Sequence, residues 1–152
     1  MMNERHSGFT MIELMVAIVV IAVLLALAVP SFREQLARRE LEGAANELSA
    51  DLQYVRTQAV SNNVVTALAT TSTSQYTITS GATTYKTVTL DPALSITSGV
   101  TVSYDPLRGM ANAVTLTLGS ARTTASLQVA TNAMGRVSLC SPSGSLKGYA
   151  TC

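Results

Sequence analysis

The chain has 152 residues and a formal net charge of +1, and 12% of its residues are charged. That length fits one domain with an additional segment, and the small net charge gives no sign of strong electrostatic attraction to a partner. The single histidine, His6, lies among the first eight residues. The remainder therefore has no histidine for a catalytic triad or a metal site. We predict that the protein is not an enzyme and that it holds no cofactor or metal.

A long apolar segment lies near the start of the sequence. Residues 14–29 include no polar side chain, and Pro30 closes the segment. Counted from Phe9 it is 21 residues long, or about 31 Å as a helix, which matches the roughly 30 Å hydrocarbon core of a bilayer. We predict a transmembrane helix over residues 9–29. One carboxylate, Glu13, lies within it, and because a charge at the centre of such a helix costs roughly 2.5–3.5 kcal/mol, Glu13 is a candidate functional residue.

The start of this segment resembles the class III signal of type IV pilins and pseudopilins. That signature is a short polar leader ending in glycine, then Phe-Thr, two apolar residues and Glu. It is met by Gly8, Phe9, Thr10, Met11, Ile12 and Glu13. The resemblance implies that residues 1–8 are a leader peptide, that a prepilin peptidase cuts between Gly8 and Phe9, and that the new amine of Phe9 is methylated. The alternative is an ordinary signal anchor that happens to contain Glu13.

The resemblance implies that Glu13 acts in assembly, and this role has a physical basis. Cleavage would leave a cationic amine on Phe9, four residues before Glu13 and on the same face of the helix. When helices of neighbouring subunits pack with a stagger, Glu13 of one can meet the Phe9 amine of the next, and that attraction is strong in a low dielectric. Other pilins or pseudopilins would then be partners, bound through the N-terminal helix. The alternative is that Glu13 neutralises the amine of its own chain.

The charges that flank the apolar helix and the leader motif favour opposite topologies. Three cations follow the helix, namely Arg33, Arg38 and Arg39, whereas Arg5 alone precedes it. The positive-inside rule by itself would place the N-terminus outside. The leader motif and a pair of C-terminal cysteines favour the reverse, because a disulfide needs an oxidising compartment. We expect a single-pass protein of the bacterial inner membrane with a periplasmic head, incorporated into a pilus or pseudopilus.

An amphipathic pattern follows the apolar segment and predicts that the helix continues over residues 30–62. Apolar residues recur at steps of three to four. They are Phe32, Leu36, Leu41, Ala44, Ala45, Leu48, Leu52, Val55 and Ala59. Pro30 lacks an N–H and should kink the helix, Gly43 is a second soft point, and Asn62-Asn63 indicates the helix end. We expect the apolar stripe to pack against a sheet.

Residues 63–152 are rich in Thr, Val, Ser and Gly and alternate between apolar and polar side chains, as strands do. The predicted strands are Val64–Ala69, Gln75–Thr79, Tyr85–Leu90, Val100–Tyr104, Val114–Leu118, Ser126–Ala130 and Arg136–Cys140. One long helix followed by seven short strands predicts an α+β fold, with antiparallel sheets packed on the helix. The resemblance to type IV pilins implies the same architecture, with a β-rich head.

Both cysteines lie near the C-terminus. Cys140 and Cys152 enclose eleven residues, Ser141–Thr151, with one proline and two glycines among them. On the predicted periplasmic side we expect a disulfide, and closing a loop of this size stabilises a fold by about 3 kcal/mol on the chain-entropy model. The alternative is a pair of free, buried thiols.

The C-terminal residues and a stretch of the helix resemble the FimT branch of the FimT/GspH minor pilins. The resemblance rests on Gly135–Cys140, on Gly148-Tyr149 before the terminal cysteine, and on the helical stretch Leu52–Ala59. It implies a minor pilin that is incorporated into, or primes, a type IV pilus. The alternative is a pseudopilin of the GspH kind, from a type II protein secretion system, which shares the fold.

The C-terminal third of the chain is basic, because residues 107–152 include no Asp or Glu. The cations there are Arg108, Arg122, Arg136 and Lys147. Some FimT-type pilins bind DNA for natural transformation through a Gly-Arg-x-Arg segment. Gly135 and Arg136 match that segment, whereas Ser138 stands where its second arginine would be. We predict non-specific contacts from these four cations to the phosphates of double-stranded DNA. The alternative is scattered, solvated surface charge.

Overall fold

The computed structural model describes residues 9–142, 144 and 146–152, with the backbone alone at residues 27, 28 and 30. Met1–Gly8, the predicted leader, lies outside the described residues, so the cleavage at Gly8 stays a prediction. The chain divides into two compact units, the first ending at Gln35 and the second running over Leu36–Cys152.

One long helix, α1, runs over Met11–Asn62, close to the predicted helix over residues 9–62. It ends as predicted at Asn62-Asn63. Asn63 has a φ of 52°, and the N–H of Val64 donates to the carbonyl of Ala59 at 3.2 Å. Those two features form a Schellman motif, in which a left-handed residue lets the chain satisfy a carbonyl of the last turn.

The first part of α1 is apolar on every side. It includes an 18-residue window with a mean hydropathy of 3.1, none of it buried, which is long and apolar enough to cross a membrane. Helical structure continues through Pro30 without a break in the secondary structure. The kink at Pro30 stays a prediction.

The second part of α1 buries one stripe of side chains, as the periodicity predicted. Six residues of that stripe are fully buried: Leu41, Ala45, Leu48, Leu52, Val55 and Ala59. The prediction was wrong for Phe32 and Leu36, which are 69% and 49% exposed. The buried stripe begins at Ala37 instead, because the compact second unit starts only at Leu36.

Within the part of the chain that the structure describes, nine strands follow the helix. They are β1 (Thr66–Ser72), β2 (Gln75–Ser80), β3 (Thr83–Thr89), β4 (Leu94–Ile96), β5 (Thr101–Tyr104), β6 (Val114–Ser120), β7 (Thr123–Thr131), β8 (Val137–Ser141) and β9 (Ala150–Thr151). Seven of them correspond to the predicted strands, with ends shifted by a few residues. Strands β4 and β9 were not predicted, because their three and two residues are too few to show an alternation.

The strands form two sheets. The first has the order β3-β2-β1-β5, and the second has the order β4-β6-β7-β8-β9. Every named pair is antiparallel except β8 with β9, where Cys140 lies opposite Ala150. The loop after Ser141 turns back before β9 begins, so that β9 runs in the same direction as β8.

A single hydrophobic core joins the stripe of α1 to the inward faces of both sheets. In β7 the buried residues alternate along the strand as Ala125, Leu127 and Val129, which is the period-two pattern of a strand with one face covered. Leu68 and Ile78 of the first sheet belong to the same core. The α+β prediction, one long helix packed on antiparallel sheets, is therefore confirmed.

Candidate interaction surfaces

The start of α1 has a reciprocal pair of hydrogen bonds that the sequence analysis missed. The backbone N–H of Glu13 donates to the hydroxyl oxygen of Thr10 at 3.3 Å, and the N–H of Thr10 donates to Glu13 Oε2 at 3.5 Å. This is a capping box, and the spacing Thr-x-x-Glu was its signal in the sequence. The carboxylate of Glu13 thus caps its own helix in the single chain, and both Glu13 and Phe9 are exposed.

Arg122, one of the four cations predicted to contact DNA, is paired with acids. Its guanidinium donates to Glu40 Oε2 at 2.9 Å and lies 4.0 Å from Asp91 Oδ1. Arg122 follows β6 in a tight turn and ties that turn to α1. The pairing reduces its availability for phosphate contacts.

The other three cations, Arg108, Arg136 and Lys147, are exposed. Arg136 follows a turn in which its backbone N–H donates to Asn132 Oδ1 at 2.9 Å. Arg108 lies between β5 and β6. Lys147 lies between β8 and β9, and the structure gives no contact that joins it to Arg136.

A fifth cation, Arg56 of α1, lies beside the loops that carry Arg108 and Arg136. Its Nε is 3.0 Å from the place that a Cβ on Gly109 would occupy and 3.3 Å from the corresponding place on Gly135. Both glycines have positive φ, 61° and 73°, where a side chain is strained. A Cβ on Gly135 would also collide with the carbonyl oxygen of Gly109. The sequence analysis did not single out Arg56, because the two loops that meet it are far apart in sequence.

Arg122 lies at a different part of the head from Arg56. Its partner Glu40 precedes Arg56 by sixteen residues along α1, or about 24 Å at the helical rise. Arg122 is therefore too far away to form one basic patch with Arg108 and Arg136. The physical reason is the topology of β6 and β7, since Arg122 is at the turn that joins them and Arg136 follows the other end of β7.

A buried polar cluster joins α1 to the first sheet. The hydroxyl of Tyr76 in β2 donates to Asp51 Oδ2 at 2.7 Å, and Lys86 Nζ in β3 lies 2.9 and 2.8 Å from the two oxygens of Asp51. Lys86 also reaches Glu47 at 3.3 Å. Burial, followed by the hydrogen bond to Asp51, raises the pKa of Tyr76, and the hydrogen bond to Asp51 raises the pKa of Lys86.

The structure has the disulfide between Cys140 and Cys152, with Sγ atoms 2.08 Å apart and Cα atoms 5.0 Å apart. The loop that the disulfide closes is also anchored in the hydrophobic core, because Leu146 is only 3% exposed and belongs to the core. No group of three or more His, Cys, Asp or Glu side chains could hold a metal ion within the part of the chain that the structure describes.

Two family models match the sequence. Residues 4–29 match the prokaryotic N-terminal methylation motif, and residues 44–135, more than half of the chain, match the type II transport protein GspH. The chain belongs to the GspH family. Together with the methylation motif, this makes it a pilin-like protein of the minor pilin and pseudopilin type, from a type IV pilus or a type II secretion system.

Curated relatives of this GspH family chain are fimbrial proteins. Two from Pseudomonas aeruginosa are each 32% identical over 75 residues, which is 49% of this chain and 49% of theirs. Fimbrial protein EcpC of Eikenella corrodens is 39% identical over 46 residues, 30% of each chain. The chain thus spans about half the length, or less, of the curated relatives it matches.

Two solved structures share the fold. Type IV minor pilin FimU of Pseudomonas aeruginosa has a TM-score of 0.58 at 21% identity, over 67% of this chain and 89% of that chain. Minor pseudopilin EpsH of the Type 2 Secretion System of Vibrio cholerae has a TM-score of 0.57 at 14% identity, over 68% and 98%. They confirm the type IV pilin fold, and a minor pilin and a pseudopilin match it equally well.

Proposed function

We propose that the protein is a minor subunit of a type IV pilus. A prepilin peptidase removes the leader after Gly8 and methylates Phe9. The mature chain is held in the inner membrane by its apolar helix, with the head in the periplasm, until it packs with other pilins. The observation that carries the proposal is the carboxylate of Glu13 in the first turn of an apolar helix, directly behind a matched methylation motif.

The physical argument concerns what Glu13 does once the helix leaves water. The hydrogen bonds that Glu13 accepts from Thr10 satisfy part of the hydrogen-bonding capacity of the carboxylate. They leave its negative charge uncompensated. In the hydrocarbon core that charge needs a cation. The methylated amine of Phe9 on a neighbouring helix supplies one, and the attraction fixes the axial stagger between subunits.

The substitution Glu13→Gln tests this because it removes the charge and retains the cap, since glutamine serves equally at that position of a capping box. We expect normal cleavage and membrane insertion but loss from sheared pili. Thr10→Val is the matched control, because it disrupts the cap and retains the charge. Pili that contain the Glu13→Gln protein at the level of the unaltered chain would contradict the proposed pairing.

The curated fimbrial relatives favour a pilus, and the alternative is a pseudopilin of a type II protein secretion system. A chromosomal deletion of the gene discriminates the two functions. Loss of surface pili with unchanged secretion of exoproteins supports the pilus, whereas loss of exoprotein secretion with unchanged pili supports the secretion system. A plasmid copy of the unaltered gene should restore whichever function is lost.

DNA binding for natural transformation is a second candidate function. It is favoured by the exposure of Arg108, Arg136 and Lys147 in a stretch with no acid. Detergent-solubilised full-length protein would be titrated with duplex DNA at increasing salt, where each phosphate contact contributes a slope of roughly −0.9. Arg136→Gln with Lys147→Gln should remove most of the binding, whereas Arg38→Gln with Arg39→Gln should not.

A further inference from the structure

Two loops of the head that are far apart in sequence form one continuous surface. The first joins β5 to β6 and the second joins β7 to β8. The N–H of Ala111 in the first donates to the carbonyl of Ala133 in the second at 3.3 Å, and a Cβ on Gly135 would collide with the carbonyl oxygen of Gly109. The first loop is anchored further by Asn112, whose side chain bonds the backbone of β5 at Ser103 and Thr101, both at 2.8 Å. The loops are therefore held together and to the sheet.

This surface exposes several large apolar side chains. We call it the two-loop surface and define it by Leu107, Arg108, Met110, Met134 and Arg136. Leu107 is 79% exposed, Met134 is 75% exposed and Met110 is 43% exposed. Met110 also lines a shallow groove of about 430 Å³ beside β5, together with Val65 and Ala111. Large apolar side chains grouped at the surface mark interaction sites, and methionine adapts well to a partner.

Arginines lie on and behind the two loops that carry these apolar side chains. Arg108 and Arg136 are exposed, and Arg56 lies behind the two glycines. Among the residues that the structure describes, none of the three arginines pairs with a carboxylate. Asp105, at the start of the first loop, is the last acid in the sequence, and residues 107–152 have none. The two-loop surface thus combines exposed apolar side chains with positive charge.

We propose that the two-loop surface docks another protein, whose surface presents carboxylates around an exposed apolar centre. The proposal rests on the proposed function, since it takes the chain to be a subunit of an assembly. The two-loop surface has two arginines and two methionines, which are enriched at protein interfaces, and no lysine, which is depleted there. Duplex DNA would satisfy the arginines through its phosphates, but it offers nothing to Leu107 and Met134.

Site-specific photocrosslinking in living cells tests the proposal on the full chain. The probe is p-benzoylphenylalanine, placed at Leu107 or at Met134, with a third variant that carries it at Tyr85 as control. Tyr85 is similarly exposed, at 55%, but lies on β3, away from both loops. We expect crosslinked adducts when the probe is at Leu107 or at Met134. The partner protein in these adducts should be absent from any adducts that the probe forms at Tyr85. Mass spectrometry should find the crosslinked peptide in one second protein, next to Asp or Glu residues.

Charge reversal tests the arginines in the same cells. Arg108→Glu and Arg136→Glu should each lower the adduct yield by about tenfold, the effect of losing roughly 1.4 kcal/mol of binding. Arg39→Glu, which reverses an exposed charge on α1, is the matched control and should leave the yield unchanged. Changing the identified carboxylate of the partner to arginine should restore the adduct to the Arg108→Glu protein.

Four outcomes would overturn the proposal. They are adducts to a second copy of this chain, adducts to nucleic acid, equal losses from Arg108→Glu and Arg39→Glu, and absence of any adduct from Leu107 and Met134. The amount of protein in sheared pili is measured in parallel. A chain that enters pili but forms no adduct contradicts this proposal and leaves the proposed function standing, whereas a chain absent from pili contradicts the proposed function itself.

Discussion

The hydroxyl of Tyr76 donates to Asp51 Oδ2 at 2.7 Å and so joins the second strand of the head to the long helix. Both residues are buried, at 1% and 8% exposure. Lys86 balances the charge of the carboxylate from β3, at 2.8 Å. A carboxylate in this position is stable because each partner contributes a charged or charge-assisted hydrogen bond, and the cluster fixes the angle at which the first sheet meets α1.

Asp51→Ala should therefore destabilise the head strongly. The change leaves the buried hydroxyl of Tyr76 without a partner, and hydrogen bonds to charged groups contribute about 1.5–3 kcal/mol. We expect the free energy of unfolding in urea to fall by about 3 kcal/mol. Glu47→Ala is the control, since that side chain is 52% exposed and surface ion pairs contribute about 0–1 kcal/mol. Equal effects of the two substitutions would contradict this account.

The same cluster predicts a loss of stability at alkaline pH. Tyr76 and Lys86 have pKa values raised above their ordinary 10.0 and 10.5, so the folded chain holds these protons more tightly than the unfolded chain. Their contribution to stability is complete below about pH 10 and is lost as the pH rises through the folded pKa values. Urea denaturation at pH values above about 10 should show that the free energy of unfolding declines with pH. The decline should be shallower in Tyr76→Phe. An unchanged slope in that variant would contradict the assignment.

Gly135→Ala should separate the two loops that form the two-loop surface. The new methyl group would collide with the carbonyl oxygen of Gly109, in addition to the strain of a φ of 73°, which costs about 1–3 kcal/mol. The matched control is Gly99→Ala, with a similar φ of 71° but no atom within 4 Å of the new methyl group. Thermal unfolding should show the larger loss for Gly135→Ala. Equal losses would show that backbone strain accounts for the whole effect.

Cys152→Ser, combined with Cys140→Ser, should loosen the C-terminal loop without unfolding the head. Closing a loop of this length contributes about 3 kcal/mol, but Leu146 still anchors the loop in the core. Amide hydrogen exchange should become faster around residues 146–151 and remain slow in β6 and β7. Leu146→Ala in the oxidised chain tests the anchor separately, and fast exchange throughout β7 in the double cysteine variant would contradict a local role.

The elements that could be predicted from the sequence are those whose pattern is local. The stripe that includes Leu41 and Leu48 repeats at helical spacing, and the Asn62-Asn63 pair marks the helix end without reference to the rest of the chain. Strand β4 could not be found in this way, because its three residues follow Asp91-Pro92 and form a strand only by pairing with β6.

The candidate surfaces were less predictable than the fold, for a physical reason. Arg56 meets Gly109 and Gly135 through contacts between a helix and two distant loops, and no spacing along the chain encodes such contacts. Likewise the pairing of Arg122 with Glu40 joins residues 82 positions apart. The stretch without acids, residues 107–152, indicates positive charge in the head. How that charge is distributed over the head depends on which ends of the strands lie together.

The most direct test of the central claim, that this chain is a processed pilin-type subunit, is the intact mass of the protein extracted from membranes of a cell with an active prepilin peptidase. The account predicts a polypeptide that begins at Phe9 and carries one methyl group on its amine. Gly8→Ala should retain the leader, because the resemblance to pilins implies a glycine before the cleaved bond. A protein that begins at Met1 in the unaltered chain would contradict the account.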